Sequence, residues 1–376
     1  MLRALAEEHD FTVFAVEFHN PRPDRIKWVR VPVPTRPLAL LFIAFHLLAP
    51  LLYFLHKFRT GSRFDLIQMV ESNLSFGAIC YSHFCHRSYL RHHWQEGRPT
   101  GLRGYLRWLD HWLHATLEAL VFRRAQRIVV PSQGLARELQ REFSFTSTKI
   151  TVLPNAVDVE QFRRPEQFNR SEFRRMLNLN DGDIMFLFVA LGQFERKGLP
   201  LLMAALKRLG SKTANIIVVG GEQDLVEKYR ALAVAQGIEA NIRFVGMQSD
   251  VRAYLWAADA FAFPSSYETF SLVAFEAAVA SLPLIAPALN GIEEILQDGR
   301  NGIVVRRAVE EITAALKRFL ALSQESRDSM GKQAHAAAAT YDEARFICNW
   351  RGLYRHWVSP AQVHAALATS PYVHAE

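Results

Sequence analysis

The chain has 376 residues, 50% of them hydrophobic and 22% charged, a globular composition with apolar material for about two domains that excludes a disordered or fibrous protein. Its three cysteines cannot build a disulfide framework, so a reducing, cytoplasmic setting is the expectation. The net charge of +7 sits in residues 1–180, where 25 Lys and Arg face 16 Asp and Glu. That surplus suits an anionic surface such as phospholipid head groups or an acidic saccharide. No helix-turn-helix, zinc spacing or aromatic RNA-binding pattern accompanies it, and nucleic acid is not expected.

In chain order, the opening MLRALAEEHD places Glu7, Glu8 and Asp10 where a signal peptide has its apolar core, so none is expected. FTVFAVEF (11–18) reads as a strand. Residues 38–55, LALLFIAFHLLAPLLYFL, have His46 as their one polar side chain and are flanked by Arg36, Lys57 and Arg59. This run reads as a helix buried on a sheet, a helix lying in a membrane interface, or a short span, with Pro50 and His46 counting against the span. Strands follow at 65–72, 77–82 and 127–132, and a fifth at 149–158 ends in a Pro-Asn turn that hands the chain to a second unit between 158 and 182. From 184 on, IMFLFVAL, NIIVVGG, NIRFVG, AFAFP, PLIAP and IVV alternate with amphipathic helical segments. Short apolar strands alternating with helices predict parallel sheets covered on both faces, with ligands in the loops beyond the strand C-termini.

Two constellations carry chemistry. In ALGQFERKGLPLLMAAL (190–206) a strand ends, a loop with Gly192 and Gly198 follows, and Arg196 and Lys197 stand just before a helix. Cations there oppose the helix dipole unless an anion such as a diphosphate lies between them and the free N–H groups. In PSSYETFSLVAFEAAVASLP (264–283), Glu268 lies in a loop and Glu276 inside a helix starting near 269–271. No Lys or Arg stands three or four positions from Glu276, so its carboxylate is exposed at a helix end or serves a ligand. HFCH (83–86) lacks a second ligand pair at zinc spacing, and nothing near Cys85 suggests an activated nucleophile, so neither a metal nor another cofactor is expected.

The spacing of Glu268 and Glu276, with RKG at 196–198, GGE at 220–222, DGRNGIVV at 298–305 and LPNAVD at 153–158, resembles the E-x7-E signature and companion motifs of family-4 retaining glycosyltransferases of the GT-B fold. The resemblance implies two Rossmann-like α/β domains facing across a cleft: 1–165 for the acceptor, 166–345 for a nucleotide-sugar, and 346–376 as a C-terminal helix and tail returning toward the first. It further implies that Arg196 and Lys197, near Gly192, hold the donor diphosphate without a divalent metal. Glu276 would take the ribose, and Glu268 the transferred sugar. The backbone of Phe270, Ser271 and Leu272 would meet the sugar and distal phosphate, and His83 would face the sugar from the first domain. With that reading, the basic first domain and its apolar run make a cell-envelope, lipid-linked or other saccharide the expected acceptor, with peripheral contact at the inner face of a membrane through residues 38–58.

Three departures from the family pattern stand out. Its first strand and glycine-rich loop have no counterpart here, which predicts a gap in the first sheet beside FTVFAVEF. Gln193 replaces a frequent arginine, and Ser271 a frequent glycine. Rival readings are a non-catalytic nucleotide-sugar binder and, more weakly, a sugar epimerase or phosphorylase of the same fold.

Overall fold

The computed structural model describes residues 1–358 except 74, 75, 97, 99, 100 and 181, so the expected tail beyond 358 lies outside the described residues. Twelve strands are introduced here in chain order. β1 (Phe11–Ala15) and β2 (Ile26–Arg30) pair in parallel as a two-stranded piece. β3 (Gln68–Val70), β4 (Ile79–Tyr81), β5 (Arg127–Val130) and β6 (Ile150–Val152) form a four-stranded parallel sheet in that order. The strand expected at 11–18 therefore ladders with 26–30, not with the other four. Tyr354 reaches both pieces: its ring lies 6.1 Å from that of Phe11, and its hydroxyl donates to Gln68 on β3 at 2.6 Å.

Three helices cover this first lobe: α1 (Leu38–Thr60), α2 (Gly101–Arg124) and α3 (Gln133–Glu142). α1 buries Ala39, Phe42 and Ala49, packing chiefly on α2, where Phe42 meets His114 at 4.2 Å, and exposes its opposite side, so the expected burial holds for one face only and is against a helix more than a sheet. Ser132 caps α3 by accepting from Leu135 N at 3.1 Å.

The second lobe holds β7 (Ile184–Val189), β8 (Ala214–Val219), β9 (Ile242–Gly246), β10 (Ala260–Ala262), β11 (Leu284–Ala286) and β12 (Gly302–Val304), all parallel, in the order β12-β11-β10-β7-β8-β9. β8 is buried along its whole length and β7 up to its last residue, which is why both read as unbroken apolar runs. Burying side chains such as Phe186, Phe188 and Ile217 contributes about 1.5–3 kcal/mol each. Between β7 and β8 come α4 (Phe194–Lys197) and α5 (Leu199–Leu209), and after β10 comes α6 (Leu272–Val279). The strand order reverses between β7 and β10, and the crevice beyond their C-termini is where a doubly wound sheet takes its ligand.

The last helix, α7 (Glu343–Val358), crosses back to the first lobe, where Trp350 and Tyr354 pack with Ile79, Tyr81 and Val129. The two connections between lobes are joined to each other, Val157 N donating to Tyr341 O at 2.9 Å.

Candidate functional site

The loop after β7 and the loop after β10 meet at the switch point. Gly198 (φ +84) turns the chain out of α4, and a Cβ there would stand 2.1 Å from the Pro264 carbonyl oxygen, so only glycine permits this approach. Arg196 and Lys197 form the last turn of the one-turn helix α4 and, with Gly198 as the N-cap of α5, also stand just ahead of α5, as the sequence led one to expect. In that position they complement the dipole of the four-residue α4 while opposing that of the longer α5, so the two helix ends act on them with opposite sign. Their side chains are fixed instead by the β10 loop. Arg196 donates to Tyr267 O and to Gln193 Oε1, both at 2.6 Å, so the residue standing in place of arginine orients its neighbour.

Lys197 Nζ lies 2.5 Å from Glu268 Oε1 and 5.0 Å over the Phe263 ring. Burial pushes the Lys197 ammonium pKa down, the Glu268 carboxylate opposes this, and nearby Arg196 adds to the lowering. Glu268 Oε1 also accepts from Ser265 Oγ at 2.7 Å. Two residues assigned separately in the sequence, one to a diphosphate and one to a sugar, are thus one ion pair, with Glu268 buried and Lys197 partly so.

Beyond Glu268 the chain enters α6. Phe270 is buried and stacks on Phe275 at 4.1 Å. Ser271 takes the N-cap position in left-handed backbone (φ 69°, ψ 68°), and its hydroxyl is buried without a partner. The helix proper starts at Leu272, one residue later than the latest expected start, and its first backbone N–H groups have no intrahelical acceptor. Glu276 is half-buried on α6. Its carboxylate makes no hydrogen bond or ion pair among the described residues, and burial raises its pKa. Gly192 lies in open space beside these groups' loops.

The first lobe closes on this edge. His83, just past β4, donates its backbone N–H to Glu71 Oε1 at 2.8 Å, and its ring packs on Tyr81 at 4.0 Å. The neighbours of His83 and Glu268 touch: the rings of Phe84 and Tyr267 meet edge to face at 5.1 Å. Sequence reasoning missed the residues that make this junction. The Tyr267 hydroxyl donates to Glu138 on α3 at 3.0 Å, and Asn290 Nδ2 donates to the other oxygen of Glu138 at 2.7 Å. Ser132 Oγ donates to Thr269 O at 2.6 Å, Gln133 N to Glu294 at 2.7 Å, and Arg137 pairs with Glu293. A Cβ on Gly134 would lie 2.3 Å from Asn290 Oδ1, which measures how closely the lobes approach. The Ser-Gln-Gly start of α3 was the one available signal, and it indicated a cap, not a contact.

Behind the junction His86, His111 and His114 are held neutral by burial, with His111 lowered to about 3 and His114 to about 4. Burial also pushes the Cys80 and Cys85 thiols well up, the opposite of what a nucleophile needs. Among the described residues no three His, Cys, Asp or Glu are grouped to hold a metal ion.

Comparison with known proteins agrees with this architecture. The Glycosyltransferase Family 4 model matches residues 1–161 and the Glycosyl transferases group 1 model residues 169–337. An uncharacterized glycosyltransferase of Methanocaldococcus jannaschii is 25% identical over 248 residues, 65% of this chain and 62% of its own length, so the chain spans less than two thirds of that relative. The sucrose-phosphate synthase of Thermosynechococcus elongatus superposes with a TM-score of 0.76 over 96% of this chain and 92% of its own at 19% identity. The Anabaena protein HepE, solved in complex with UDP-glucose, gives 0.65 over 93% and 100% at 16% identity. One glycosyltransferase model matches each lobe, the two together spanning residues 1–161 and 169–337, so the chain belongs to the glycosyltransferases, and its likeness to solved structures gives it their GT-B fold.

Proposed function

We propose that this protein moves a sugar from a nucleotide-sugar donor to a saccharide or lipid-linked acceptor, with retention at the anomeric carbon and without a metal ion. The observation that carries the reading is Glu276: a half-buried carboxylate with no partner among the described residues, on the helix that starts beside the Lys197–Glu268 pair. Such a group is satisfied by ligand hydroxyls, as a ribose supplies. Arg196 and Lys197 place two fixed positive charges where a diphosphate leaves, which supports departure of the nucleotide by charge stabilisation. Glu268, already bonded to Lys197 and Ser265, orients the transferred sugar, and His83 faces it from the first lobe. The backbone N–H groups at Phe270, Ser271 and Leu272 receive the distal phosphate. Retention follows if the departing phosphate takes the acceptor proton on the same face. The HepE complex with UDP-glucose supports a uridine donor as the first to try.

The test is a thermal-melt series with UDP, GDP, ADP and their common sugars, followed by assignment of the product anomer by NMR. A nucleotide at a hundredfold excess over its Kd adds about 2.7 kcal/mol to native stability. One nucleotide should raise the midpoint of the wild type, the shift should vanish in Glu276→Ala, and the product should keep the donor configuration. A cooperative melt that no nucleotide moves defeats the reading, and an inverted product defeats its stereochemical part.

A further inference from the structure

The apolar helix α1 and the helix α2 beneath it carry a surface that sugar transfer does not use. α1 has two faces. Its inner side is held by the lobe: the Phe42 ring lies 4.2 Å from that of His114 on α2, and the His46 ring nitrogens lie 2.8 Å from the carbonyl oxygens of Phe42 and Ser72. The outer stripe, Leu40, Ile43, Leu47, Leu51, Phe54 and Phe58, recurs at three- and four-residue spacing and is exposed, Leu47 at 70% and Phe58 at 88%. On α2, Leu102, Tyr105, Trp108 and Trp112 are exposed too, and the three aromatic rings stack in a ladder with centroids 6.4 and 6.3 Å apart. Charge is the second observation. Residues 25–64 contain seven Lys and Arg and no Asp or Glu, and Arg36, Lys57, Arg59 and Arg63 bracket α1 at its two ends.

We propose that α1 and the Tyr105–Trp112 ladder of α2 form a docking surface for an anionic phospholipid bilayer, with α1 lying in the interface plane and embedded to the depth of its outer stripe. Wide aliphatic side chains suit the acyl boundary, Trp and Tyr suit head-group depth, and the basic ends of α1 meet lipid phosphates. Crossing the bilayer does not fit the inner face, whose polar contact to Ser72 and ring contact to α2 tie it to the lobe on one side. A second copy of the chain is a poorer occupant, because a two-fold contact would bring two acid-free basic rims together. The proposal needs no nucleotide and stands apart from the sugar-transfer reading.

Co-sedimentation of the full chain with vesicles tests it. The wild type should partition onto phosphatidylcholine vesicles containing phosphatidylglycerol, less onto phosphatidylcholine alone, and less as salt rises. Leu47→Asp with Phe54→Asp should lower the partition coefficient about tenfold or more, the factor for withdrawing a Leu-sized contact from an apolar phase. Trp108→Ala with Trp112→Ala should lower it severalfold. All four positions are exposed, so unchanged melting temperatures show that the fold is kept. The proposal falls if the wild type ignores phosphatidylglycerol vesicles, if the Leu47/Phe54 variant sediments as well as the wild type, or if the same substitutions instead dissolve a dimer measured without lipid.

Discussion

Replacing Glu268 by Ala strands Lys197. The Lys197 side chain is 17% exposed, its contact to Glu268 Oε1 at 2.5 Å is its one ion pair among the described residues, and desolvation already lowers its pKa. Ser265 Oγ, on a fully buried residue, loses its carboxylate acceptor and keeps a 3.4 Å contact to Tyr267 O. Removing one partner of a buried pair costs about 3–5 kcal/mol. For a lobe of this size that lowers the melting midpoint by roughly 6–20 °C, at about 2–4 °C per kcal/mol. The paired substitution Lys197→Met with Glu268→Leu removes both charges and should recover most of the loss, since apolar replacements of buried pairs are close to neutral. Calorimetry on the wild type, both single variants and the double variant closes the cycle. If Glu268→Ala melts within about 2 °C of the wild type, less than the shift for 1 kcal/mol, or if the double variant falls as far as the single, then the pair is not buried and coupled as described.

Two further expectations rest on single residues. Ser271→Gly should gain about 1 kcal/mol in a urea melt, because Ser271 holds φ at 69° and buries a hydroxyl without a partner; a loss would mean the hydroxyl is bonded. His111 has its pKa lowered to about 3 by burial, with Arg107, His114 and Arg196 adding to it, so its contribution is present above pH 6.5 and lost as pH falls toward 3. The His111→Phe variant lacks that dependence, and its stability relative to the wild type should shift in its favour by about 1.4 kcal/mol per pH unit below 6.5; parallel curves would contradict the burial of a neutral imidazole.

The elements legible in the sequence were those whose pattern the environment dictates. β7 and β8 lie inside a covered sheet, so their apolar runs could mean little else. β2 was not legible, because in IKWVR the exposed Lys27, Trp28 and Arg30 break the apolar pattern of an edge piece. α4 has four residues, too few for a helical period, and that is why the turn carrying Arg196 and Lys197 ahead of α5 was read as a loop. The candidate loops were readable, but the Lys197–Glu268 pairing spans 71 residues and depends on which strands become neighbours. α1 is apolar on every side, so periodicity could not say which face the lobe would claim. Tyr267 and Glu138 looked like ordinary loop and helix-surface residues until the lobes were brought together.

The bond between Val157 and Tyr341 gives the hinge a voice in the site. Tyr341 does not end at the crossing: its ring packs on Phe275 at 4.9 Å and lies 6.2 Å from Phe270, and its hydroxyl reaches Glu294 at 3.3 Å, the carboxylate that also holds Gln133 of the first lobe. One side chain thus ties the interlobe crossing to the wall that carries Phe270 and, through Glu294, to the contact with the first lobe, so position 341 touches three parts of the molecule that are far apart in the chain.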